Sequence, residues 1–262
     1  KGATGSFNTQ NILPLIDEIE NILGNQTYTE ALISIFREAY QQNNLATAAR
    51  FLVNELFGDY GIVVVDGNDL AFKEQFKAVF EEDIFQNTPF KYVNETIDDL
   101  KKLGHTAQVN PRAINCFYNE GGLRTRIEKR EDKFQLVGTD TLFTEKELRN
   151  IIQAHPNKIS PNVVLRPLYQ QTILPNLAYV GGPGELAYWL QFKKMFDKLD
   201  IEFPILVPRD FVTVVDKGTK AKIEKLGFES KDIFDSEQNL IQRFQIKSNA
   251  VFDIEHEKNA VQ

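Results

Sequence analysis

Apolar residues recur at helical spacing through the first part of the chain. Ile12, Leu15, Ile16, Ile19 and Ile22-Leu23 form one stripe, which Gly24-Asn25 ends. Thr29 is expected to cap a second helix carrying Leu32, Ile33, Phe36 and Tyr40. A third runs from Leu45, with Ala48, Ala49, Leu52, Val53 and Leu56 inward. The pattern changes at Ile62-Val63-Val64-Val65-Asp66, a continuous β-branched run of the kind found in strands covered on both faces of a parallel sheet. A helix with Phe72, Phe76, Val79 and Phe80 follows, then one from Tyr92 to Leu103, ending at Gly104. Residues 108–144 are rich in strand and turn signals and read as a small β-containing insertion outside the main sheet.

Thr144 and Glu147 form a capping box for a short helix that stops before Pro156. Ser160, with Pro161 in the first position, is expected to cap another helix, with Val164, Leu165, Leu168 and Tyr169 inward to Ile173. The chain is organised around the next stretch. It reads as a strand (Leu177 to Val180), a turn (Gly181-Gly182-Pro183-Gly184) and one long helix from Glu185. Helical stepping puts Glu185, Trp189, Phe192, Phe196 and Leu199 on one face, flanked by Tyr188 and Met195. Phe203 to Val207 is a further buried strand, and the tail from Lys217 is helical. After Ser236 it is amphipathic, through Leu240, Ile241, Phe244 and Ile246. The expected fold class is α/β, with the strands at 62–66, 177–180 and 203–207 parallel in one Rossmann-like core and helical and small β-containing insertions around it.

Composition narrows the function. The 262 residues are 42% apolar and 26% charged, as in ordinary soluble proteins. A net charge of −7 and a pI near 5.2 argue against a nucleic-acid or anionic-membrane surface. No apolar run reaches the roughly 20 residues a membrane span needs. One cysteine fits a reducing cytoplasm and excludes a disulfide framework, and three scattered histidines have no metal-ligand spacing. The opening Lys1-Gly2-Ala3-Thr4-Gly5 suggests a piece of a longer protein.

Candidate chemistry gathers where three strand ends should meet, at Asp66, Gly181 and Arg209. Free N–H groups of the Gly181-Gly182-Pro183-Gly184 turn and the start of the following helix favour an anion. Glu185 is a carboxylate on the core-facing stripe, either a ligand-binding or acid–base group or a partner of the helix dipole. Arg166 and Gln170, spaced i, i+4, share a helix face that precedes the central strand, so Arg166 can reach the same cleft. Asp66, with Asn68 beside it, either holds a cofactor ribose or caps the next helix. Arg124 and Arg126 alternate on a strand and either bind an acidic group or form a solvated face. Cys116 has no general base near it in sequence and reads as a small core residue. No G-x-G-x-x-G follows a strand, which argues against a dinucleotide oxidoreductase.

The run from Ser160-Pro161-Asn162-Val163-Val164-Leu165-Arg166-Pro167-Leu168-Tyr169-Gln170 through Leu174-Pro175-Asn176 to Gly181-Gly182-Pro183-Gly184-Glu185-Leu186-Ala187-Tyr188-Trp189 closely resembles the bacillithiol-biosynthesis cysteine-adding enzymes, or cysteine ligases. Gln108-Val109-Asn110-Pro111-Arg112 with Asn115, and Phe203-Pro204-Ile205-Leu206-Val207-Pro208-Arg209, extend the resemblance over essentially the whole chain. It implies a nucleotidyltransferase-like core with connecting-peptide insertions, a C-terminal coiled coil that makes a homodimer, and addition of cysteine to glucosaminyl-malate in the last step of bacillithiol synthesis. The division expected is a helical segment (1–60), the first part of the core (61–90), a connecting-peptide-like insertion (91–150), the second part of the core (151–216) and a helical tail (217–262). The resemblance also implies segments upstream of Lys1 and a coiled coil continuing beyond Asp253, so catalysis by this chain alone is not expected. The site read from these residues has Glu185 as the catalytic residue. Arg166, Gln170, Gly181, Gly182, Gly184, Tyr188 and Arg209 would bind substrate, and Asp66 and Asn68 a cofactor, with ATP the candidate and no metal. The alternative is a non-catalytic nucleotide-binding or assembly scaffold.

Overall fold

The computed structural model describes Gly5 and residues 7–247; the opening Lys1 to Thr4 and the expected coiled-coil continuation past Asp253 lie outside them. The described residues fall into two compact units that divide between Arg209 and Asp210.

The first unit begins with three helices, α1 (Leu13–Leu23), α2 (Thr29–Tyr40) and α3 (Leu45–Phe57), packed in succession through Ile16, Ile33, Ala39 and Ala48. Gly24 ends α1 at φ +57°, a conformation that costs a residue with a Cβ. Thr29 does not cap α2. It is the first helical residue, and no side chain caps that end. Asn44 caps α3 instead, in a box with Thr47.

The Ile62 to Asp66 run joins no strand ladder, which corrects the expected three-stranded parallel core. Its β-branched residues favour an extended backbone, but a strand needs a partner, and none lies alongside among the described residues; Val63 is 84% exposed. Helices α4 (Leu70–Gln75) and α5 (Lys77–Glu81) follow, then a π-turn at Glu82–Gln86 and α6 (Thr88–Lys102).

The insertion makes the larger sheet of the unit. Strands β1 (Cys116–Glu120), β2 (Leu123–Arg130), β3 (Lys133–Leu136) and β4 (Leu142–Thr144) are joined by β5 (Ile159–Pro161), in the order β4-β3-β2-β1-β5, all antiparallel. Ser160 therefore sits in a strand, opposite Phe117, and caps no helix. Asn162 turns the chain instead, its Oδ1 accepting the N–H groups of Val164 and Leu165 ahead of α8 (Arg166–Ile173). The expected box of Thr144 and Glu147 does start α7 (Glu145–Ala154).

One face of this sheet, through Cys116, Tyr118, Ile127, Phe134, Leu136 and Ile159, is continuous with the core formed by Phe76, Phe80, Val93, Ile97, Leu148, Ile152 and Leu168. Cys116 is buried there, as its isolation in the sequence suggested. Two ionisable groups share this interior. Lys73 Nζ donates to the Ile159 carbonyl at 2.9 Å, and burial lowers its pKa to about 8. Asp83 is fully buried, which raises its pKa to about 7 against the hydrogen bonds from Asn115.

Parallel pairing does occur, between β6 (Ala178–Gly181) and β7 (Ile205–Pro208). The helix between them is broken into α9 (Pro183–Leu190) and α10 (Lys193–Lys198), a second correction. Gln191 and Phe192 bond back three residues, to Tyr188 and Trp189, which tightens the turn. The buried Gln191 side chain is held across the break: Oε1 accepts from the N–H groups of Gln108 and Val109, and Nε2 donates to the Val109 carbonyl at 2.8 Å. The expected apolar stripe survives, with Trp189, Phe192 and Phe196 buried, Leu199 half-buried, and the flanking Met195 buried as well.

The second unit holds α11 (Lys217–Lys225), capped by Asp216, and α12 (Glu237–Lys247). Arg243 reaches Asp232 and Asp235 at 2.9 and 3.2 Å. Leu240 is half-buried, while Ile241, Phe244 and Ile246 are exposed.

Candidate functional site

The parallel pair carries β6 and β7 to a common end, where Gly181 lies opposite Pro208 and its carbonyl accepts the Arg209 N–H at 2.9 Å. Gly182 then caps α9 and Pro183 takes its first position. None of Gly181, Gly182 and Gly184 has a positive φ, so backbone bending does not explain them. Close approach explains two. A Cβ on Gly181 would stand 2.7 Å from the Tyr179 ring, and one on Gly182 would stand 3.1 Å from Arg209 Nη2. Around Gly184 there is open space.

Glu185 closes on this turn. Its Oε2 accepts the Gly182 N–H at 3.0 Å, so that N–H is not free for a ligand; Oε1 accepts the Tyr179 hydroxyl at 3.1 Å. These two bonds, the Gly182 one foremost, hold the carboxyl below its usual range against burial, with the positive fields of Arg209 and Arg166 assisting. The group is ionised at neutral pH.

Tyr179 is the residue that sequence reasoning passed over. Its ring stacks on the buried Trp189, with centroids 4.3 Å apart. Burial raises its pKa, Arg166 opposes the rise and Glu185 adds to it, so the phenol bridges a cation and an anion. Its pleat position was the available signal, since it shares a face with Gly181 two residues on. Arg166 spans the other side. Nη1 donates to Gln170 Oε1 at 3.0 Å, confirming the shared helix face, and Nη2 donates to the Tyr188 hydroxyl at 3.2 Å. Burial works against its charge, but the Tyr188 and Tyr179 hydroxyls outweigh that and raise its pKa.

The fold thus joins Glu185, Arg166, Gln170, Tyr188, Gly182 and Arg209 through Tyr179, with two guanidinium groups to one carboxylate. Asp66 and Asn68 stand apart from this group. Asp66 Oδ1 accepts the Asn68 N–H at 2.9 Å in a local turn, while Asp69 caps α4. Their link to α8 is the Tyr169 hydroxyl, which donates to the Gly67 carbonyl at 2.7 Å.

A glycine turn between a parallel strand and a helix, with charged groups at the strand ends, is the arrangement found in Rossmann-like α/β domains. Comparison with known proteins specifies it. Residues 1–210 match the family described as "Bacillithiol biosynthesis BshC, N-terminal Rossmann-like domain", and the chain belongs to that family. Proteins named "Putative cysteine ligase BshC" are similar to it. The one from Flavobacterium johnsoniae is 40% identical over 250 residues, covering 95% of this chain and 47% of the relative. The Cytophaga hutchinsonii one is 41% identical over 92% of this chain and 44% of the relative. The Lysinibacillus sphaericus one is 32% identical over 87% and 43%. The chain spans about half the length of the curated relatives it matches. No described helix is long and apolar enough to cross a membrane.

Proposed function

We propose that this chain is the core of a cytoplasmic ligase that adds cysteine to glucosaminyl-malate in bacillithiol synthesis. The observation that carries this reading is the Arg166–Tyr179–Glu185 constellation at the shared ends of β6 and β7. An amino acid presents a carboxylate and an ammonium group. Arg166 and Arg209 suit the first, and the ionised Glu185 suits the second. A carboxylate with a lowered pKa is a weak base, so Glu185 acts by holding the cysteine amino group rather than by taking its proton. Gln170 and Tyr188 keep the Arg166 fork in place. Joining a carboxylate to an amine requires its oxygen to become a leaving group, and ATP is the candidate activator, with Asp66 and Asn68 on its ribose side.

The parallel pair β6–β7 would be part of a larger Rossmann-type sheet; the exposure of Leu177, Val180 and Ile205 supports this. The exposed Ile241, Phe244 and Ile246 of α12 support a homodimer made through a helical tail.

A thermal-shift panel tests the site on this chain. Cysteine at millimolar concentration should raise the melting point, as a ligand of the native state does. Glu185→Gln keeps the shape and should abolish that rise while leaving the unliganded melting point within a few degrees. An equal rise in the variant, or a rise with NAD and none with cysteine or ATP, would overturn the reading.

A further inference from the structure

The polar face of the five-stranded sheet carries a second set of unused groups. Strand pairing puts Ser160 and Arg126 opposite Phe117 on either side, and Arg124 opposite Asn119, so all five side chains share one face. The Arg124 guanidinium lies 3.8 Å from the centre of the Phe117 ring and reaches over β1 to donate to the Pro161 carbonyl at 3.3 Å. That carbonyl belongs to the residue next to Ser160. The fork has five donors, and this bond uses one.

Two neighbouring cations share one carboxylate. Arg126 and Arg130 both meet Glu128, at 3.3 and 3.2 Å. Arg124 is half-buried and has no carboxylate within ion-pair distance among the described residues. Burial alone acts on its pKa, and lowers it. Beside it are two buried side-chain oxygens with no hydrogen-bond partner: Oγ of Ser160, a residue only 9% exposed, and Oδ1 of Asn119. Buried polar atoms nearly always have partners, because an unpaired one gives up its bonds to water with nothing in return. Here a donor hydroxyl, an acceptor amide oxygen and an uncompensated guanidinium flank one aromatic ring.

We propose that this face binds a small hydroxylated organic anion. Arg124 and the Ser160 hydroxyl would donate to its carboxylate or phosphate, and Asn119 Oδ1 would accept from one of its hydroxyls. The proposal is independent of the Glu185 site and of the ligase reading. A bare anion leaves Asn119 unpaired and a neutral polyol leaves Arg124 unpaired, so the site selects molecules that carry both groups.

Isothermal titration of the 262-residue chain provides the test, with glycerol 3-phosphate and glycerate as the phosphate and carboxylate probes and inorganic phosphate and glycerol as partial ones. At least one full probe should bind in the millimolar range or tighter, and more tightly than either partial probe. Arg124→Lys keeps the charge but loses the fork, and should weaken binding at least tenfold. Arg166→Gln should leave it unchanged, separating this site from the other. Ser160→Ala adds a signature that a purely structural serine would not show: weaker binding, with an unliganded melting point unchanged or raised. If Arg124→Lys fails to fold, judged by its melting curve, Ser160→Ala and Asn119→Ala carry the test. No binding by the wild-type chain, binding indifferent to these substitutions, or binding lost with Arg166→Gln would each overturn the proposal.

Discussion

Asn115 meets Asp83 with two donors: its backbone N–H reaches Oδ2 at 2.6 Å, and its side-chain amide reaches Oδ1 at 3.0 Å. The same side chain accepts from Arg112 N–H at 3.0 Å and Asn162 Nδ2 at 3.1 Å. It therefore ties the π-turn at 82–86 to β1 and to the loop that opens α8. An acid placed here carries a pH dependence into stability. Its folded pKa of about 7 lies above the unfolded value, so the folded chain binds the proton more tightly. That contribution is fully present below about pH 4 and is lost as pH rises through 7. Between pH 5 and 7 the wild-type chain should lose on the order of 2 kcal/mol relative to Asp83→Asn. Urea unfolding at both pH values measures it; parallel profiles for the two proteins would refute the assignment.

The glycine turn should respond unequally to a single methyl group. Gly181→Ala drives a Cβ into the Tyr179 ring and should cost about 1–3 kcal/mol. Gly184→Ala points into open space in the first turn of α9 and should be neutral or stabilise by about 0.4–1 kcal/mol. Denaturation midpoints with unchanged slopes decide between the two, and equal losses would show that the space around Tyr179 is not what restricts position 181.

Tyr179→Phe keeps the ring on Trp189 and removes the hydroxyl that Glu185 accepts. The Glu185 carboxyl should then titrate closer to the ordinary glutamate value, as followed by carbon-13 NMR of that side chain. Stability should change by no more than about 1.5 kcal/mol, the net value of one hydrogen bond. A stationary Glu185 titration would mean that the Gly182 N–H and the two arginines hold it down without the phenol.

Gln191→Ala should be the most destabilising of these changes. It leaves two backbone N–H groups and one carbonyl unpaired in a half-buried setting, at Gln108 and Val109. The expected loss is about 2–4 kcal/mol. A melting point within a degree or two of wild type would show that water replaces the amide without penalty.

Local pattern located most of the helices of this protein, the capping box at Thr144, the apolar stripe from Trp189 to Leu199, and the i, i+4 pairing of Arg166 with Gln170. Each depends on residues within a turn or two of one another, where spacing fixes who meets whom. Composition likewise placed Cys116 in the core. The strand partners lay beyond that reach. Ile62 to Asp66 has the residues of a strand, but pairing is a property of two segments, and only the folded chain shows that none of the described residues pairs with it. Ser160 has the residues of a helix cap, yet the open edge of β1 takes it as a strand and hands the capping to Asn162. The break at Gln191 was hidden for the same reason, since the groups that hold it are more than eighty residues away. The candidate site combines the two levels. Glu185 and Arg166 were legible one by one, but the phenol of Tyr179 that joins them became visible only once β6 and α9 were folded together.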